Sequence, residues 1–151
     1  MIGDWFGADA AWCIPFEREA RRKYRSRLAL SQAVGHLTYT LVDIEVPGDA
    51  ARHRLEIAFF RNPFYDTYGQ PPQNAPLVRA WPLRESKHRF RGGALCLWQP
   101  DDPQERRWTS ELGLYALIEL AIRHLFMELH WLATGGRRGG EWILEDAPHG
   151  R

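Results

Sequence analysis

The chain predicts an α+β fold: an N-terminal helix, an antiparallel meander sheet and a long central helix packed on that sheet. Three observations carry the prediction. Phe16, Ala20, Tyr24 and Leu28 recur at intervals of four among arginines and a lysine, which is the apolar stripe of an amphipathic helix. Between residues 36 and 81, short runs rich in β-branched and aromatic residues are parted by Pro/Gly segments, the pattern of short strands joined by turns. From Ser110 onward, apolar residues fill more than one side of a helical projection, so that helix belongs at the centre of the core.

The elements follow in order. Residues 1–14, with Gly3, Trp5, Phe6, Gly7 and Trp12, read as an irregular arm whose aromatics tack onto the body. Pro15 suits a first helical position, where its missing N–H costs nothing, and helix one is expected over about 16 to 33 with Gly35 as its stop. His36 to Val46 and Arg54 to Phe60 are expected to form an antiparallel pair across the turn Pro47-Gly48-Asp49. Residues 61–76 carry Pro63, Pro71, Pro72 and Pro76, too many fixed φ angles for a regular element. Leu77 to Trp81 supplies a third strand, ended by Pro82. The central helix opens at Ser110-Glu111 and ends at Gly135-Gly136, and the tail, 136–151, is either a short strand or an arm packed back on the body.

A length of 151 residues fits one domain, 1–151, with an apolar fraction of 44% and seven tryptophans to fill its core. A formal charge of +1 argues against a dedicated nucleic-acid binder, which concentrates a basic excess. The local exception is the first helix, where Arg18, Arg21, Arg22, Lys23, Arg25 and Arg27 make either a solvated face or a docking surface for an acidic partner. Glu119, Arg123, His124, Glu128 and His130 interrupt the central helix, so no membrane span is expected. Cys13 and Cys96 lie far apart with no ligand spacing around them, and His124 and His130 are not at the i, i+4 spacing of a helical metal pair. Neither a disulfide, a metal nor a cofactor is expected, and the absence of a leader-like opening makes a cytoplasmic location the expectation.

Cys96 is the candidate nucleophile. It ends the run Phe90-Arg91-Gly92-Gly93-Ala94-Leu95-Cys96, at the edge of a Pro/Asp-rich loop, where a thiol can meet the end of another chain. Gly92 and Gly93 would let a partner's backbone approach, and Trp98 is a candidate to touch it or to anchor the loop. His88 is a candidate for positioning or proton transfer, and Asp101 and Asp102 for orienting or deprotonating an amine; each also reads as ordinary loop chemistry. Cys96 itself also reads as a small buried hydrophobe, the usual fate of a free cysteine.

The order of these residues resembles the ubiquitin-conjugating enzymes. That family carries His-Pro-Asn, then Gly-x-(aliphatic)-Cys-Leu, then Trp-(Ser/Thr)-Pro-x-Leu; His88, Gly93, Leu95, Cys96, Leu97, Trp108, Thr109 and Leu112 match it. The likeness spans roughly residues 16–134. Trp131-Leu132-Ala133-Thr134-Gly135, Gly139-Gly140-Glu141 and Pro148-His149 further resemble the bacterial branch found with the CBASS anti-phage signalling operons.

What the resemblance implies is a UBC-like fold and an acyl carrier. It would take a protein's C-terminal glycine as a thioester on Cys96 and pass it to an amine. The donor would be a cGAS-like nucleotidyltransferase or a ubiquitin-like protein, with an ATP-dependent activating enzyme as a further partner facing the basic first helix. Arg89-Phe90 stand where the family has Pro-Asn, so the Asn to which the family assigns loop support or oxyanion stabilisation during amine attack has no counterpart here. Two other readings stay open: a catalytically silent UBC-like module that grips and modulates its partner, and a small thiol hydrolase using Cys96 with His88.

Overall fold

The computed structural model describes residues 5–90, 92–98, 102, 103, 105 and 107–143. Its elements are α1 (Ala10–Tyr24), β1 (Leu28–Ala33), β2 (His36–Ile44), β3 (His53–Phe60), β4 (Leu77–Trp81) and α2 (Gly113–Ala133), with short 3-10 turns between them. The strands form one antiparallel sheet in the order β1-β2-β3-β4. The α+β class and the two-helix, meander-sheet plan agree with the expectation from sequence.

The first helix does not. It starts at Ala10, inside the expected irregular arm, where the Asp9 carboxylate caps it by accepting the Ala11 N–H at 3.0 Å. Pro15 therefore lies within the helix rather than at its first position. The helix ends at Tyr24, because Arg25 takes φ 50° and ψ −121°, a conformation that turns the chain out of the helical path. Residues 28–33, expected to be helical, form β1 instead. An every-fourth-residue row cannot tell the two apart: Leu28 is buried at the mouth of β1 just as it would be on a helix, and only Leu28-Ala29-Leu30 alternates with period two. Gly35 is not a helix stop but half of the two-residue turn between β1 and β2, at φ 67°, where Ala33 pairs with His36. The meander thus has four strands, not three.

One face of the sheet is dry. Leu37, Tyr39 and Leu41 of β2, Leu55, Ile57 and Phe59 of β3, and Val78 and Ala80 of β4 alternate inward. They meet Cys13, Phe16, Ala20 and Tyr24 of α1 and Leu114, Leu117, Ile118, Ala121 and Leu125 of α2 in a single core. Phe16 packs edge-on to Phe59 and Trp108, with centroids 5.5 and 6.0 Å away, so one aromatic cluster joins α1, the sheet and the entry to α2. Buried hydroxyls find carboxylate partners: Tyr39 Oη donates to Glu17 at 2.7 Å and Tyr24 Oη to Glu119 at 3.2 Å. Burial and these carboxylates push both phenols above their ordinary range. No helix among the described residues is long and apolar enough to cross a membrane.

Arg25 holds a backbone conformation that suits glycine, at a strain of roughly 1–3 kcal/mol. Arg25→Gly relieves it while adding freedom to the unfolded chain. The expected result is a net gain of about 1 kcal/mol, read as a higher urea midpoint with an unchanged slope; a lower midpoint would show that the Arg25 side chain itself holds the corner.

Candidate functional site

Cys96 closes a small hairpin hung on the edge of the sheet. Phe90 N–H donates to Ala94 O at 2.8 Å, Arg89 bridges Leu95, and Cys96 N–H donates to His88 O at 2.8 Å. The turn needs glycine at Gly92 and Gly93, with φ of 93° and 89°. A Cβ on Gly93 would fall 2.6 Å from the Leu83 side chain, whereas Gly92 faces open space. The two glycines, expected to admit a partner, are thus first of all the means by which the hairpin turns. On the other side the hairpin extends the sheet, through Leu95 N–H to Val78 O at 2.8 Å and a bridge from Ala94 to Arg79 of β4.

The hairpin is pinned from below by a buried ion pair. Arg89 sends Nε to Glu128 Oε2 at 2.8 Å and Nη2 to Oε1 at 2.7 Å, and its Nη1 donates to Ala80 O at 3.1 Å. The two side chains are 4% and 1% exposed. A guanidinium satisfied in this forked fashion on one carboxylate and one carbonyl ties hairpin, α2 and β4 together. His124, one turn earlier on α2, places Nε2 3.8 Å from Glu128 Oε2. Sequence reasoning passed over this pair, although Glu128 carries a signal. It lies on the row Leu114, Leu117, Ala121, Leu125, where a carboxylate has to bring a partner into the core.

His88 and Cys96, eight positions apart, are neighbours through this ladder. The His88 ring is buried, edge-on to Trp142 at 4.5 Å and to His124 at 6.5 Å, and the His88 backbone N–H donates to Ser86 Oγ at 3.1 Å. Asp102 is buried. Asp101 lies outside the described residues, as do Pro148 and His149. Trp98 packs against the core with its ring 6.0 Å from Trp108, which makes it an anchor of the segment after Cys96. Trp108 in turn donates Nε1–H to Gly113 O at 2.9 Å, and Ser110 N–H donates to Asn74 Oδ1 at 2.9 Å, so the start of α2 is fastened to the Pro-rich loop. Phe90 is 59% exposed.

Cys96 itself is 1% exposed, and burial pushes its thiol up to about 12. In this conformation the thiol stays protonated at neutral pH and out of reach of a large electrophile. Cys13, also buried, donates to Gly7 O at 3.5 Å and is likewise raised by burial, with Glu17 and Asp9 adding to the shift. On α1, Arg21 is engaged with Glu17 at 2.5 Å, while Arg18, Arg22, Lys23 and Arg25 stand exposed. Arg18 and Arg22, at i and i+4, share one side of the helix, and Arg25 lies just past its end. No group of His, Cys, Asp or Glu that could hold a metal ion occurs among the described residues. No family model, curated protein or solved structure matches the chain.

Removing one partner of a buried pair strands the other charge, at roughly 3–5 kcal/mol, while replacing both by apolar residues is often neutral. Arg89→Met and Glu128→Leu should each unfold the protein at markedly lower urea, and the double variant should recover most of the loss. Additive single effects in that cycle would show that the two side chains act separately.

Proposed function

We propose that the chain is a ubiquitin-conjugating-like acyl carrier, a UBC-like domain that bears a partner protein's C-terminal glycine as a thioester on Cys96. The observation that carries the reading is the coincidence of motif and geometry. The residues that match the family's pattern, His88, Gly93, Leu95 and Cys96, form one closed hairpin, and Trp108 fastens the entry to α2. The order α1, β1 to β3, Pro-rich loop, β4, cysteine hairpin, α2 supports it at the level of architecture.

The chemistry asks little of the surroundings. In the first step the Cys96 thiolate attacks the carbonyl carbon of a donor thioester; the new S–C bond forms as the donor's S–C bond breaks and its thiolate leaves. In the second an amine attacks the same carbon, the C–N bond forms, Cys96 departs as thiolate, and the ammonium proton passes to solvent or to a nearby base. His88 and Asp102 are the described candidates for that base, and Asp101 is the third. The donor is a cGAS-like nucleotidyltransferase tail or a ubiquitin-like protein delivered by an ATP-dependent activating enzyme, and the transfer regulates anti-phage signalling. The exposed Arg18, Arg22 and Arg25 suit an acidic surface on that enzyme.

One observation favours the second reading, a silent module that grips the partner without acylation: the thiol is buried and its protonated form favoured. Intact mass separates the two. With ATP, an activating enzyme and a glycine-ended donor, the carrier reading expects an adduct that thiol reductant dissolves, that Cys96→Ala abolishes and that Cys13→Ala leaves in place. Partner binding that survives Cys96→Ser, with no adduct in the unaltered protein, gives the module reading instead.

A further inference from the structure

The chain leaves α2 through Thr134 and turns back on itself over the 3-10 turn Gly136–Arg138. Thr134 Oγ1 donates to His130 O at 2.9 Å and accepts the Glu141 N–H at 2.7 Å, and Gly140 N–H donates to Gly136 O at 2.7 Å. There is no room for a side chain at Gly140, where a Cβ would lie 2.3 Å from Trp131 O. This reversal delivers Trp142 onto the cysteine hairpin: its indole stands edge-on to His88, at 4.5 Å, and to His124, at 5.2 Å. Glu141 and Ile143 on either side of it are exposed. His88 is the residue whose carbonyl holds the Cys96 N–H.

We propose that residues 139–143 form a strap that keeps the Cys96 hairpin closed with its thiol inward, that Trp142 is the contact fastening it, and that release of the strap brings the thiol to solvent. Other fastenings of the hairpin include the Arg89–Glu128 pair, the bonds to β4, and Leu95 in the core. Each of these belongs to the sheet or the core, and breaking the pair would leave a bare charge in an apolar interior. The strap is held by the Thr134 hydroxyl, the turn at Gly136–Gly140, a half-buried indole between exposed neighbours, and surface ion pairs of Glu141 with His130 and of Arg137 with Glu85. Segments with so few buried contacts are the ones that open locally at least cost. Once Trp142 lifts, the His88 ring loses one of its aromatic neighbours, and the Cys96 backbone moves with the His88 carbonyl to which it is bonded. A partner that takes up the Trp142 indole would thereby expose the thiol. The inference concerns access alone and holds whether or not Cys96 ever carries an acyl group.

The full chain carries its own control, because Cys13 is a second buried thiol seated on α1. With iodoacetamide at pH 8 and site-resolved mass analysis, both thiols of the unaltered protein should label slowly. Trp142→Ala and Gly140→Ala should each raise labelling of Cys96 tenfold or more and leave Cys13 unchanged, and Trp142→Phe should stay close to the unaltered protein. Unchanged labelling of Cys96 in both variants overturns the proposal, and so does Cys13 rising in step with Cys96, which would mean general loosening. Native-state hydrogen exchange tests the same motion without substitution. The Cys96 amide should open together with the Glu141 amide; opening only with the core amides of α2 would overturn the strap.

Discussion

Arg89 and Glu128 meet in a part of the molecule where neither charge could stay alone. Taking a guanidinium and a carboxylate out of water costs several kcal/mol per ion, and only close, forked hydrogen bonding returns it. The pair therefore tolerates little displacement. Both nitrogen–oxygen contacts stand below 3 Å, and the third donor of Arg89 is spent on the Ala80 carbonyl of β4. Three elements are fixed by that one side chain: the hairpin that supplies it, the helix that answers it, and the strand whose edge the hairpin extends. Since Cys96 is bonded across the ladder to the residue preceding Arg89, the depth of the thiol in the protein follows from the depth of this pair.

The rest of the fold holds the two ends of that constraint at the right separation. Glu128 sits late on α2, and α2 is positioned at its start by the aromatic cluster of Phe16, Phe59 and Trp108 and by the Trp108 indole on Gly113 O. β4 is positioned by its register on β3, in which Leu55 faces Ala80 and Ile57 faces Val78. A second tie works from the opposite side of the hairpin's approach. Asp49, in the β2–β3 turn, accepts from Arg84 at 2.8 Å and from His53 at 2.7 Å, and Arg84 holds its carboxyl well below the usual carboxylate range. That carboxylate anchors the segment that runs from β4 toward His88. Rigidity around the cysteine is thus assembled from charges at two depths, one pair in the core and one triad at a turn.

How much of this was legible in the sequence depends on which period the residues obey. β2, β3 and β4 alternate or run apolar between Pro and Gly breaks, and their predicted limits fall within two residues of the observed ones. The first helix was legible in its stripe but not in its ends. Asp9 caps it earlier than Pro15 suggested, and Arg25 ends it through a backbone conformation that no composition rule assigns to arginine. At the site, the meeting of His88 and Cys96 was not legible, because it depends on a turn at Gly92-Gly93. Glu128 was visible as a carboxylate on an apolar row, yet its partner could be any cation the sheet presents. The tail's return was one of two stated options, but that Trp142 would land on His88 depends on the reversal around Gly140, which only the three-dimensional crowding at Trp131 O reveals.

A thiol that carries acyl groups faces opposed demands, and burial serves only one of them. Enclosure protects a thioester from water and a resting thiol from oxidation, while attack on a donor needs a thiolate and a path to it. A static site must compromise between the two; a site that opens can satisfy each in turn. The distribution of strength around Cys96 fits the second arrangement. The hairpin is fixed at depth by an ion pair that cannot part cheaply, while the indole that stands on His88 is held by a threonine hydroxyl and a glycine turn. Motion restricted in this way keeps the hairpin on the sheet as it opens. The thiol would then emerge in a defined place, which is the property a relay between two proteins requires.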